Sequence, residues 1–121
     1  MIFDSNIVIY STQPMYPEIK QLLAEQEVYV SAISCVEVLG YHNLQPAERI
    51  VFENFFRTAR ILPIESQIID AAVSLRQQRK MSLGDAIIAG TAIAHEKTLV
   101  TRNMRDFQWI KELRLYNPIN N

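Results

Sequence analysis

The 121-residue chain is 49% hydrophobic and 21% charged, with only 3 Gly and 5 Pro. This composition excludes collagen-like, low-complexity and disordered classes. The formal net charge of −1 supplies no bulk attraction to a polyanion, so contact with nucleic acid requires a local basic patch or a bound cation. The single cysteine, Cys35, rules out an internal disulfide and a multi-cysteine zinc site and fits a reducing compartment.

We expect one domain over residues 1–121, because no repeat, linker or long charge run divides the sequence. Met1-Ile2-Phe3-Asp4 reaches an acid at once and lacks the basic and long apolar regions of a targeting segment. No apolar run approaches the roughly 20 residues that span a bilayer. The expectation is a soluble cytoplasmic protein with no membrane partner.

In chain order, Ile2-Phe3 reads as a very short buried strand that leads into Asp4. Ile7 to Tyr10 continues apolar, punctuated by Ser5-Asn6 and Ser11-Thr12. Pro14 and Pro17 open a helix with Ile19, Leu22 and Leu23 on one face. Val28-Tyr29-Val30 is a second strand, and a helix with Val36, Val38 and Leu39 starts near Ser34. Pro46 marks another helix start, followed by Phe52, Phe55 and Phe56, which serve either as core or as an exposed patch for a partner. Ile61-Leu62-Pro63-Ile64 is a third strand, placed near an edge by its proline. Helices follow over Ser66 to about Lys80 and over about Ser82 to His95. The second of these is apolar around most of its circumference and is therefore buried. Arg76, Arg79 and Lys80 close the first, where cations favour the helix dipole. Thr98 to Thr101 is a fourth strand, and Leu113 to Tyr116 a fifth.

Strands alternating with helices predict an α/β fold, a three-layer α/β/α sandwich with a mainly parallel central sheet. In such sheets ligands bind beyond the carboxyl ends of the strands, where the strand order reverses. Asp4 follows the first strand, Glu37 lies in the first turn after the second, Asp85 opens the apolar helix, and Asn103 and Asp106 follow the fourth strand. These oxygen donors at one sheet edge suit a hard divalent cation such as Mg²⁺ or Mn²⁺. Taken singly, each acid also fits a local role. Ser34-Cys35-Val36-Glu37 and Ser82-Leu83-Gly84-Asp85 match capping boxes, and Asp4 fits an Asx turn. Capping alone does not require all of them to follow strands on one side of the sheet.

Phe3-Asp4-Ser5-Asn6-Ile7, Ser31-Ala32-Ile33-Ser34-Cys35-Val36-Glu37-Val38, Leu83-Gly84-Asp85-Ala86-Ile87-Ile88-Ala89 and Val100-Thr101-Arg102-Asn103-Met104-Arg105-Asp106-Phe107 resemble, in this order, the four acidic motifs of PIN domains. Asn117-Pro118 resembles a common ending, and the length is similar to VapC-type ribonuclease toxins of toxin–antitoxin pairs. The resemblance implies a PIN-like fold and Mg²⁺- or Mn²⁺-dependent RNA cleavage, with Asp4, Glu37 and Asp85 as metal ligands and Asp106 as a fourth catalytic candidate that binds metal, acts through a water or holds the loop. Where many PIN domains carry an acid two residues after the threonine of the fourth motif, this chain has Asn103. The resemblance also implies a cognate antitoxin that blocks the site, and a homodimer.

Ser5, Asn6, Thr101 and Asn103 are expected to support the acids by hydrogen bonding. Arg102 and Arg105 are candidates for RNA phosphate contacts. His42 and His95 lack a metal-ligand spacing, and Trp109 and Phe107 read as core. The competing class is a PIN-fold binding module without activity, acting through a partner complex. A phosphoryl-accepting receiver domain is rejected because only Glu65 follows the middle strand. A nucleotide-binding loop is rejected because the glycines form no phosphate-cradling pattern.

Overall fold

The computed structural model describes residues 1–119. The elements are β1 (Ile2–Phe3), α1 (Ser5–Tyr10), α2 (Pro17–Glu25), β2 (Tyr29–Ser31), α3 (Ala32–Leu39), α4 (Pro46–Thr58), β3 (Arg60–Leu62), α5 (Ser66–Gln78), α6 (Leu83–Ala94), β4 (Leu99–Val100), α7 (Met104–Phe107) and β5 (Leu115–Tyr116). The strands form one sheet in the order β3-β2-β1-β4-β5, and every neighbouring pair is parallel.

Successive strand residues face opposite sides of the sheet, and the two sides carry separate cores. Phe3, Val30 and Val100 pack with Ile7, Val8, Ile19, Val38, Phe52 and Phe56 from α1 to α4. Ile2 and Leu99 pack with Leu75, Ile88, Ala89, Ala92 and Phe107 from α5, α6 and α7. The expected α/β architecture with helices on both faces is thus observed. Phe52 and Phe56 are buried, so core packing accounts for them. The α5–α6 contact depends on a missing side chain: a β-carbon at Gly90 would sit 3.1 Å from the Ile68 carbonyl oxygen and 3.3 Å from the Ala72 nitrogen.

Several boundaries differ from the sequence expectation. Ser5 to Tyr10 is a helix. Asp4, with extended backbone, precedes it, and its carbonyl accepts from the Ile7 and Val8 N–H groups at 3.0 and 3.2 Å. Burial of Ile7 and Val8 in the first core outweighs the extended preference of an Ile-Val-Ile run. α2 opens at Pro17, not Pro14. α3 starts at Ala32, capped by Ser31, whose Oγ accepts from the Ile33 N–H at 3.2 Å. Glu37 is therefore in its second turn, not its first, and Ser34 is not a cap. α5 ends at Gln78, with Arg79 as its extended C-cap, so Arg76 lies in the last turn and Arg79 and Lys80 follow directly. Pro63 lies just past β3, which is an edge strand as expected.

β1 and β4 are neighbours, yet the chain leaves them toward opposite faces. α1 joins the first core and α7 the second. A crevice therefore opens between their carboxyl ends, at the point where the strand order reverses.

Candidate active site

Asp4 sits at the head of this crevice. Its N–H donates to the Val100 carbonyl at 3.0 Å, and its Oδ2 accepts from the Thr101 hydroxyl at 2.8 Å. It is 5% exposed. Burial pushes its carboxyl up from the ordinary 3.8 to about 6. The Thr101 hydrogen bond opposes this, and the nearby Asp85 and Glu37 charges reinforce it. The Asx-turn alternative for Asp4 gives way to this contact between two strands.

Glu37 reaches the same region from α3. Ser5 Oγ lies 2.7 Å from Glu37 Oε1 and 2.8 Å from Ser34 Oγ. One hydroxyl hydrogen serves one acceptor, and a carboxylate only accepts, so Ser5 donates to Glu37 and Ser34 donates to Ser5. Ser34 thus props the acid through Ser5 and does not cap the helix. Glu37 also occupies the space a side chain at position 84 would need: a β-carbon on Gly84 would lie 2.2 Å from Glu37 Oε2.

Asp85 is in the first turn of α6, and its N–H donates to Ser82 Oγ at 3.1 Å. Capping by Ser82 therefore coexists with a carboxylate at the site. Burial raises the Asp85 carboxyl above its usual range; the hydrogen bond with Ser82 opposes this, and Asp106 and Glu37 add to it. Asn103 caps α7 and grips Asp106 at both ends. Its Nδ2 donates to Asp106 Oδ2 at 2.7 Å, and its Oδ1 accepts from the Asp106 N–H at 3.4 Å. The Asn103 N–H donates to Thr101 Oγ1 at 3.0 Å, which links this pair to Asp4.

Asp4, Glu37 and Asp85 are thus electrostatic neighbours, Asp106 adjoins Asp85, and among the described residues none of the four is in a salt bridge. Such a set of oxygen donors with no counter-charge suits a hard divalent cation, and the clearance at Gly84 keeps Glu37 in it. Among the described residues no three Asp, Glu, His or Cys side chains already enclose an ion position.

The other expected residues divide. Asn6 is exposed on α1, and its side chain makes no hydrogen bond among the described residues. Arg102 turns toward α1 and α2: its Nη1 donates to Tyr16 Oη at 3.1 Å, and its guanidinium lies 5.9 Å from the Tyr10 and Tyr16 ring centroids. Arg105 lines a cavity with Asp85 and Asp106. Phe107 is core, whereas Trp109 is half-buried and lines that cavity. Sequence reasoning read Ser34 as a cap, set RNA contact at Arg79 and Lys80 below a helix-end role and base stacking at Trp109 below a core role, and gave Gly84 no role of its own, although a glycine inside a helical pattern is a signal.

Five parallel strands and acids converging where their order reverses define an α/β domain with an acidic site. The chain belongs to the PIN domain family, whose family model matches residues 1–113. Among solved structures it is similar to a toxin–antitoxin complex from Klebsiella pneumoniae, at 31% identity over 99% of this chain and 98% of that chain, with a TM-score of 0.83. It also shares the fold of VapBC from Salmonella typhimurium bound to DNA (20% identity, 98% and 97% coverage, TM-score 0.85). A third is VapBC2 from Rickettsia felis bound to a DNA fragment from the promoter (24% identity, 97% and 98% coverage, TM-score 0.80). Comparison with curated proteins returns no match. Among the described residues no helix is long and apolar enough to cross a membrane.

Proposed function

We propose that residues 1–121 act as a single PIN domain and a metal-dependent endoribonuclease, the toxin of a toxin–antitoxin pair. The observation that supports this most is the unneutralised group of Asp4, Glu37, Asp85 and Asp106 at the β1/β4 crevice, with burial and the neighbouring charges raising the Asp4 carboxyl to about 6. In this reading Asp4, Glu37 and Asp85 hold Mg²⁺ or Mn²⁺. When bound, the ion lowers the pKa of a water and offsets phosphodiester charge. Asp106, oriented by Asn103, accepts a proton from the attacking water. Ser5 and Thr101 fix the carboxylates of Glu37 and Asp4. Asn6 stands at the mouth of the site on α1. Arg105 and Arg102 contact RNA phosphates on its two sides. Attack by the water on phosphorus, with the P–O3′ bond breaking and the 3′-oxygen taking up a proton, would leave a 5′-phosphate and a 3′-hydroxyl.

The partner is an antitoxin, in keeping with the Klebsiella pneumoniae relative, and the working form is a cytoplasmic homodimer. The competing reading is an inactive PIN-fold binding module; the absence of a ready three-acid ion position among the described residues is the observation in its favour.

The test is cleavage of a total RNA pool by purified protein with Mg²⁺, Mn²⁺ or EDTA, beside Asp4→Asn. Discrete cuts that vanish in EDTA and in the variant support the nuclease. A folded, cation-loaded protein that leaves RNA intact moves the assignment to the binding module.

A further inference from the structure

A cavity of about 540 Å³ is lined by Asp85 and Asp106 together with Arg79, Lys80, Arg105 and Trp109. Its basic wall comes from two distant segments, the stretch after α5 and the stretch around α7. Arg79 is the C-cap of α5 and Lys80 follows it, and among the described residues neither side chain hydrogen-bonds a carbonyl of the helix. Arg76 Nε donates to the Met81 carbonyl at 3.3 Å and so anchors the segment that carries them. The Trp109 ring is fixed by its Nε1–H, which donates to the Asp106 carbonyl at 3.0 Å. The Arg79 guanidinium lies 5.5 Å from that ring's centroid, within cation–π range.

Among the described residues Arg79, Lys80 and Arg105 form no salt bridge, although two carboxylates line the same cavity. Three cations without a salt bridge among the described residues, one of them over an aromatic ring, beside acids suited to a cation, match a polyanion that carries flat bases. A recessed cavity admits an unpaired base more readily than a stacked duplex.

We propose that this cavity is a binding subsite for single-stranded RNA. Arg79, Lys80 and Arg105 hold backbone phosphates next to the scissile one, and Trp109 with its stacked Arg79 presents the surface for an adjoining base. The proposal rests on the nuclease reading and adds the path of the strand, from the acids across the α5–α6 connection and α7.

Trp109 is the chain's single tryptophan, so its emission reports on this cavity alone. The experiment titrates the Asp4→Asn protein, in Mg²⁺, with a fluorescein-labelled single-stranded RNA of mixed sequence, following both Trp109 emission and RNA anisotropy. Wild-type cleavage is measured in parallel. We expect Trp109 quenching that tracks binding and weakens as salt rises. Arg79→Gln and Lys80→Gln should each weaken binding about fivefold and make the log–log salt slope shallower by about 0.7. Arg57→Gln, on α4, serves as the control and should bind like the parent. Trp109→Phe retains a ring and should bind within about twofold of the parent. If anisotropy shows binding while Trp109 emission stays constant and Arg79→Gln and Lys80→Gln match the parent, the subsite is overturned and the nuclease reading stands. If the RNA is neither bound nor cleaved, both fall.

Discussion

The Thr101 hydroxyl donates a 2.8 Å hydrogen bond to Asp4 Oδ2 across 97 positions of sequence, and Thr101 Oγ1 itself accepts from the Asn103 N–H at 3.0 Å. One buried hydroxyl therefore ties the acid after β1 to the loop after β4. Thr101→Val keeps the shape but leaves a buried carboxylate short of a donor and the Asn103 N–H without its acceptor. We expect a loss of about 1–3 kcal/mol in urea denaturation, with Thr101→Ser restoring most of it.

Asp4 gives the metal-free protein a pH dependence of definite sign. Its carboxyl is raised from 3.8 to about 6, so the folded chain holds this proton more tightly than the unfolded chain. The stabilisation is complete below the unfolded value and disappears as pH rises through about 6. From this group alone, the protein in EDTA should be less stable at about pH 8 than at about pH 5 by roughly 1.5 kcal/mol. Asp4→Asn should remove that slope and be the more stable protein at the higher pH. Denaturation curves at both pH values, with and without the substitution, check this.

Gly84→Ala separates stability from activity. The added β-carbon would meet the Glu37 carboxylate, whose Oε2 lies 2.2 Å from its position. Glu37 is an exposed, flexible side chain and can move aside. We expect thermal stability within about 1 kcal/mol of wild type, and RNA cleavage reduced more than about tenfold. Equal loss of both would mean that the helix start itself had shifted.

Gly90→Val tests the α5–α6 contact. Even a β-carbon there stands 3.1 Å from the Ile68 carbonyl, and the atoms around it are mostly backbone that cannot rotate away. Overpacking should destabilise the fold by about 1–3 kcal/mol. Cleavage per folded molecule should change far less than in Gly84→Ala, as a titration of active protein would show.

Asp4, Asp85 and the Asn103–Asp106 pair were legible as candidates because each follows a strand or opens a helix, which is a local pattern, whereas Glu37 stands one turn further into α3 than the sequence suggests. The two cores and the parallel sheet were legible for the same reason. What escaped depends on contacts between distant segments. Nothing near Ser34 announces that its partner is Ser5, so the serine three residues before Glu37 reads as a cap. The Ile7-Val8-Ile9 run favours extended chain locally, and only burial against α2 and α4 makes it helical. Arg102 and Arg105 look equivalent on paper, yet Tyr16 holds one on the far side of the crevice from the other. Arg79 reads as the end of a helix, and its stacking on Trp109, thirty positions away, appears only when α5 and α7 are brought together.

The brevity of β1 has a consequence for how this protein can vary. With Ile2 serving one core and Phe3 the other, the strand works like a two-toothed key. Its register opposite Leu99 and Val100 has no intermediate setting. A one-residue insertion or deletion between Ile2 and Asp4 exchanges the occupants of the two cores and turns the first acid away from Thr101 in the same step. Divergence in this segment is therefore confined to substitution, and any change of length there removes packing and chemistry together.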